Sequence, residues 1–380
     1  MGVEAVGPAM RDVVAAMEGP GVVWAVVDPD RHTTIGSAGP LAADKIFRIA
    51  SLTKPIVAVL TLRLAEQGRL DLDAPIDTHL PEFAGRRVLR AHGAPLEDTV
   101  AATRATTVRD LLQMGVGWGF DAAAGPDDPL QAALERDDLS SGWLPPELPP
   151  DRWAERAGAL PMAHQPEQGW LYQYSFDALA VLLERATGQD LGRVLSEEVF
   201  EPLAMVDTGY TVDATALHRV PANVLANRAG RFVEATPAGD ERLLTAPVFR
   251  SGATGLVSTA ADLARFATML LDRGRGPAGP LISAESWTAL TTDTLGDAAR
   301  QMMQEFVEDA GLGWGLGVGV DLTARFPGST AGRFGWDGGT GTTLWVDPGA
   351  GVAGVLLSRQ GFGAETPHVT RFWEAVFSRP

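Results

Sequence analysis

The chain of 380 residues contains no cysteine. Disulfides, thiolate nucleophiles and Cys-ligated zinc or iron–sulfur centres are therefore excluded. No apolar run approaches the ~20 residues needed to span a bilayer. The longest, Gly21–Val27 and Pro55–Leu62, have the length of buried strands or helix faces. Basic residues are outnumbered, 31 Lys and Arg against 48 Asp and Glu, for a formal net charge of −17. Such a surface repels phosphate backbones and anionic lipid, so neither a nucleic acid nor a membrane is expected as a partner. The six histidines are scattered, with no two at ligand spacing and no H-E-x-x-H, and no metal is expected. No serine sits in G-x-S-x-G, which removes the α/β-hydrolase elbow. The glycines at 313, 315, 317 and 319 do not spell a dinucleotide fingerprint. Their period of two fits a strand that something else approaches closely.

What is present is ordinary for a globular enzyme: 45% hydrophobic and 21% charged residues. The N-terminal stretch reads as an amphipathic helix with Val6, Met10, Val13, Val14 and Met17 on one side. It lacks a basic segment followed by an apolar one, so no signal peptide and a cytoplasmic location are expected. Residues 21–30 form a β-branched run closed by Asp-Pro-Asp, and 32–39 can pair with it. Residues 51–68 read as a helix stopped by Gly68. Further helices are expected at 107–114, 176–187, 190–198, 260–273 and 367–377, with Gly188 and Gly274 as stops. The prolines at 145–150 exclude regular structure there, and 120–165 shows no readable pattern. Residues 312–320 read as a strand, and 342–349 with 352–360 as a hairpin around Pro-Gly. The expected fold class is α/β (α+β): a mixed, mainly antiparallel sheet built from both chain ends and flanked by helices. Residues 1–75 and 241–380 would form that sheet domain, and 76–240 an inserted, mainly helical one.

The chemistry concentrates in FRIASLTKPIVAVLTLRLAEQGRL (47–70). Ser51 and Lys54 stand three apart and share one helix face. Pro55 is tolerated only near a first turn, which puts Ser51 at the helix N-terminus. Free amides and the positive dipole end there favour an oxyanion. A lysine whose pKa is lowered by burial can take the serine proton. Alone, S-x-x-K is equally a capped helix start with a surface lysine. The apolar neighbours Ile49, Ala50, Leu52, Ile56 and Val57 place Lys54 in the core instead.

This segment resembles the serine β-lactamase-like superfamily: class C β-lactamases, penicillin-binding proteins and family VIII carboxylesterases. FRIASLTK is close to the family's F-R-I-A-S-x-T-K. GRLDLDAPIDTHLPEF (68–83), TTVRDLLQMGVGWGF (106–120) and SGATGLVSTAADLARFATMLL (251–271) resemble later family segments in the same order. The resemblance spans about 5–375 and implies the β-lactamase/transpeptidase-like fold, with the active site in the cleft between the two domains.

It also implies roles. The family's proton-relaying tyrosine falls on Tyr172 when Trp170, Asp177, Leu179 and Gly188-Gln189 are put in register. Tyr174 then takes the place of the motif's asparagine, as a substrate-facing residue or as a packing aromatic. The third family motif, K-T-G on an edge-facing strand, becomes Trp336-Asp337-Gly338, the W-x-G form of the esterase branch. Trp336 would wall the acyl pocket, Gly338 would leave room for substrate, and the amides of Ser51 and Gly339 would form the oxyanion hole. Losing the motif's cation removes a counter-ion for a β-lactam carboxylate. The expected activity is a serine carboxylesterase on small to medium esters, without cofactor. A β-lactamase or D-amino-acid peptidase, an acyltransferase of secondary metabolism, and an inactive binding protein on the same fold are the alternatives.

Overall fold

The computed structural model describes residues 3–16, 21–121, 123–139, 142, 144–227, 231–362 and 366–378. The N-terminal periodicity forms helix α1 (Val3–Ala16), which buries Val6, Met10 and Val14 and packs Val13 against the core. Met17 lies outside the described residues. Strands β1 (Val22–Val27) and β2 (Thr33–Ala38) pair antiparallel, Trp24 facing Gly36 across the ladder. β1 is apolar at every position because both of its faces are covered, so no alternation of polar and apolar residues survives.

Strand β3 (Phe47–Arg48) runs into a single 3-10 turn, Ala50–Leu52, and then helix α2 (Thr53–Glu66). α2 is buried from Thr53 through Leu62, as befits a helix apolar on all sides. Helix α3 (Tyr174–Thr187) starts two residues earlier than its sequence suggests and ends at a left-handed Gly188. Strand β4 (Val257–Ser258) precedes helix α4 (Ala260–Leu271), capped by Thr259, whose side chain accepts from the Asp262 amide.

The alternating glycines do not make one strand. They divide into β5 (Leu312–Trp314) and β6 (Gly319–Asp321), which pair antiparallel across a tight turn. The expected close approach does occur. A Cβ at Gly315 would fall 2.0 Å from the Leu290 carbonyl, and one at Gly317, which has φ +101°, 2.6 Å from Ala58 Cβ on α2. Strands β7 (Phe334–Gly338), β8 (Thr342–Asp347) and β9 (Val352–Ser358) follow, then helix α5 (Pro367–Phe377). The main sheet has seven strands in the order β5-β6-β7-β8-β9-β1-β2, with every neighbour antiparallel. Segments from the two chain ends, Val22–Val27 and Ala353–Ser358, thus meet at β9–β1. Helices α1 and α5 pack on each other and on the sheet, while α4 covers β1, β8 and β9.

The central region holds short helices at Val108–Leu112, Leu191–Leu195 and elsewhere, but also two small hairpins, Arg87–Leu89 with Thr99–Ala101 and Asn223–Ala226 with Phe232–Thr236. A wider π turn, Ser196–Phe200, ends the expected 190–198 helix. The 120–165 stretch is more regular than its sequence suggests, with helices Pro129–Arg136 and Pro150–Ala159. Pro150 opens the second, a position where a missing amide proton costs nothing. The reading of 145–150 as irregular therefore fails at its last residue. Among the described residues no helix is long and apolar enough to cross a membrane.

Candidate active site

Two segments some 200 residues apart are laced together beneath the site. β3 pairs with β4, Phe47 opposite Ser258 and Arg48 opposite Val257. The Ile49 amide continues the ladder to the Leu256 carbonyl at 3.0 Å. From the other side, Thr340 Oγ1 donates to the Arg48 carbonyl at 2.7 Å and Thr342 Oγ1 to that of Ile49 at 3.1 Å. The chain then turns sharply through Ala50, which holds a left-handed φ of +44°. For a residue with a Cβ this is a strained conformation, maintained by the clamps around it. Ser51 follows at the mouth of α2.

Lys54, one turn on, is fully buried. Its Nζ lies 2.9 Å from Ser51 Oγ, 2.6 Å from Gln173 Oε1 and 2.7 Å from the Ala253 carbonyl. Burial pushes its pKa well below the usual lysine range, and the Asp177 carboxylate partly opposes that fall. An uncharged amine has two protons and one lone pair. Two of its three neighbours are carbonyl oxygens that can only accept. The two protons therefore go to Gln173 and Ala253, and the lone pair is left facing the Ser51 hydroxyl.

Tyr172 completes the group. Its backbone is pinned by a bridge to Phe120, whose amide reaches the Tyr172 carbonyl at 2.9 Å. Its ring lies between Trp170 and Phe306, at centroid distances of 5.6 and 5.0 Å. Lys54 Nζ sits over the ring, 4.4 Å from its centre. Burial raises the phenol pKa above its ordinary value; the facing Ser51 hydroxyl and Trp336 pull it back only in part. Tyr172 is thus a neutral phenol at physiological pH. Trp336 Nε1 donates to its oxygen at 2.6 Å.

These side chains open onto a cavity of about 500 Å³ lined by Ser51, Tyr172, Gln173, Trp336 and Gly339, with Phe120, Phe306, Trp345 and Phe362 around them. Both residues expected to supply oxyanion amides, Ser51 and Gly339, thus face the same space. Two expectations need correction. Tyr174 does not line this cavity. It is 1% exposed and packs against Trp118 and Phe120, because it is already the first residue of α3 and that helix turns it inward. The amide lost with the motif's asparagine has a counterpart in Gln173, one residue earlier, whose φ of +95° swings it toward Lys54. Gly338 is likewise needed for a different reason. A Cβ there would fall 2.4 Å from the Ile49 carbonyl, so the glycine lets β7 close against the Ser51 turn.

β7 lies inside the sheet rather than at its edge, but β6 pairs with it only at Phe334 and Gly335. Trp336–Gly338 are left open on that side. The motif's cation is absent from β7, as its sequence says. A guanidinium nevertheless reaches the cavity wall from another loop: Arg325, ion-paired with Asp309 and 3.3 Å from Asp321 Oδ1. Gln173, Phe306, Asp309 and Arg325 were not legible as site residues. The glutamine stood inside the tyrosine motif and was the one available signal; the others come from segments without any pattern.

The Beta-lactamase family model matches residues 10–375. The chain belongs to the beta-lactamase family. It is a serine hydrolase of that family's fold. Esterase EstB of Burkholderia gladioli is 30% identical over 361 residues, covering 90% of this chain and 84% of that protein. Among solved structures, EstCE1, described as a hydrolase with promiscuous acyltransferase activity, superposes with a TM-score of 0.81 at 20% identity, covering 99% of this chain and 98% of its own. Simvastatin synthase LovD of Aspergillus terreus does so with a TM-score of 0.78 at 20% identity, covering 98% and 97%. At such identities these two likenesses concern the fold.

Proposed function

We propose that this family member is a carboxylesterase that works through an acyl-enzyme on Ser51. The observation that carries the reading is the buried amine of Lys54, with two carbonyl acceptors on one side and Ser51 Oγ on the other. Neutral Lys54 takes the hydroxyl proton as Ser51 Oγ bonds to the ester carbonyl carbon. The amides of Ser51 and Gly339 hold the resulting oxyanion. When the C–O bond to the alcohol breaks, the Tyr172 phenol gives its proton to the departing alkoxide. The transient phenolate is stabilised by the Trp336 N–H and the new Lys54 ammonium. Water then attacks the acyl carbon, passing one proton to Tyr172 while Lys54 returns its own to Ser51 Oγ. The likeness to EstB, an esterase by name, supports this reading.

The substrate class is a small-molecule ester with neutral acyl and alcohol parts, because Phe120, Tyr172, Phe306, Trp336, Trp345 and Phe362 line the cavity and the Arg325 guanidinium is ion-paired with Asp309. The same lining favours a second reading, in which an apolar alcohol rather than water receives the acyl group. The likeness to EstCE1, described as a hydrolase with promiscuous acyltransferase activity, is consistent with that. The test is a panel of p-nitrophenyl and alkyl esters, anilides and nitrocefin, with intact mass spectrometry during turnover. Neutral esters turned over fastest, with a mass increment on wild type that Ser51→Ala lacks, is the expected result. Nitrocefin hydrolysed faster than any ester would overturn it. Ester product appearing only when an alcohol is added would select acyl transfer.

A further inference from the structure

The mechanism above uses the Ala253 carbonyl as one of the two groups that orient Lys54, yet this carbonyl belongs to a loop, and loops do not hold an atom in place by themselves. What holds this one is a buried polar chain. Asp177, on α3, is fully buried and accepts a hydrogen bond from Ser251 Oγ. Ser251 Oγ in turn accepts from the backbone amides of Ala253 at 3.1 Å and Thr254 at 3.0 Å. The Ser251 carbonyl is fixed separately by the Tyr210 hydroxyl at 2.7 Å. A hydroxyl has one proton. With that proton committed to Asp177, Ser251 Oγ must act as acceptor for both amides. The loop is thereby curled so that the Ala253 carbonyl points the other way, to Lys54 Nζ.

We infer that Asp177 and Ser251 are positioning residues for the general base: they aim the Ala253 carbonyl at Lys54, and Asp177 adds a buried negative charge that favours the ammonium form of Lys54. This rests on the reading of Lys54 as the base. The pairing is chemically specific. An uncharged partner in place of Asp177 whose oxygen can still accept from Ser251, as an asparagine amide can, would preserve the loop but remove the charge. A residue without a hydroxyl at 251 would preserve the charge but release the loop.

Lys54 is faced by Ser51 from its own turn, by the Tyr172 phenol and Gln173 amide from the segment before α3, by Asp177 from α3, and by the Ala253 carbonyl. Asp177 is the charged group acting on it. Around Asp177 and Tyr210 lie Glu184, Asp190 and Arg250, the last two ion-paired with each other. Because the Asp177 charge favours the ammonium, its removal must make Lys54 easier to deprotonate, not harder.

The experiment is the pH dependence of kcat/KM on a neutral ester for wild type, Asp177→Asn and Ser251→Ala, with circular dichroism to confirm the fold. In Asp177→Asn the acid limb should move to lower pH by about half a unit to one unit, the low end of what an opposite charge nearby produces. In Ser251→Ala the acid limb should stay within a few tenths while the plateau kcat falls about tenfold or more, in line with losing one hydrogen-bonded anchor of the base. A folded Asp177→Asn enzyme with an unmoved acid limb, or one moved upward, overturns the electrostatic half. Wild-type kcat in Ser251→Ala overturns the positional half. Should Asp177→Asn fail to fold, Ser251→Ala, a smaller change, decides the positional claim alone. Failure of the Lys54 assignment itself would look different: Lys54→Met would keep its activity.

Discussion

Replacing Trp336 by Phe separates two roles that the sequence could not tell apart. Phenylalanine keeps an aromatic ring in the wall but loses part of the bicyclic bulk and the indole N–H that lies 2.6 Å from the Tyr172 oxygen. In the ground state that bond joins two neutral partners. As the phenol gives its proton to a departing alkoxide, the acceptor becomes a phenolate and the bond becomes charge-assisted. A hydrogen bond to a charged group is worth about 1.5–3 kcal/mol, against about 1 kcal/mol for a neutral one. The transition state therefore loses about 0.5–2 kcal/mol more than the ground state, and kcat/KM should fall about two- to thirtyfold. The effect should depend on the leaving group. An alkyl ester expels an alkoxide that needs the proton; a p-nitrophenyl ester expels a phenolate that does not. Measured on ethyl and p-nitrophenyl esters of the same acid, Trp336→Phe should depress the first much more than the second. Equal losses on both would refute the reasoning and reduce Trp336 to a wall of the pocket.

Other consequences follow from the same geometry. Ser51→Ala should abolish turnover and the covalent intermediate; retained labelling by a fluorophosphonate would place the nucleophile elsewhere. Tyr172→Phe should cost at least about a hundredfold on alkyl esters, the usual scale of general acid–base catalysis, and Tyr174→Phe far less, since Tyr174 is packed away from the cavity; the reverse order would move the motif by two residues. Gln173→Glu puts a carboxylate where a neutral acceptor lies 2.6 Å from Lys54 Nζ, so the acid limb of kcat/KM should rise by about one unit or more; an unmoved limb would show that Lys54 is not the titrating base. Away from the site, His368 is buried with no hydrogen-bond partner at either ring nitrogen, and burial lowers its pKa to about 4. The unfolded chain then binds the extra proton first, so stability falls as pH drops from about 6.5 toward 4, by about 2–3 kcal/mol in all. His368→Leu should flatten that part of a pH-dependent urea denaturation series, and an unchanged slope there would assign the loss to other groups.

The sequence by itself determined the family, the nucleophile–lysine pair and the order of the motifs, because these depend on local spacing. Three residues on one turn bring Ser51 and Lys54 together whatever the rest of the chain does. Two β-branched runs around Asp-Pro-Asp form a hairpin for equally local reasons. Boundaries shifted where local rules met a neighbour. Residues 312–320 became two strands because α2 and the Leu290 carbonyl press against their glycines. Pro150 became a helix start because only its ring, not its amide, had to fit.

What only the tertiary structure decided is how the lysine is made into a base. Its proton-accepting geometry depends on Gln173, Ala253, Asp177 and Ser251, which come from segments about 120 and 200 residues away. No periodicity announces a main-chain carbonyl as a functional group. A glutamine at an unusual φ looks, in sequence, like any glutamine before a helix. The same holds for Trp336, whose ring was legible as a pocket wall, but whose N–H acquired a meaning only when β7 set it 2.6 Å from a phenol 164 residues earlier in the chain. Local spacing fixes which groups can react; long-range packing removes the water and orients the protons, and that is what makes an ordinary serine and lysine chemically unusual.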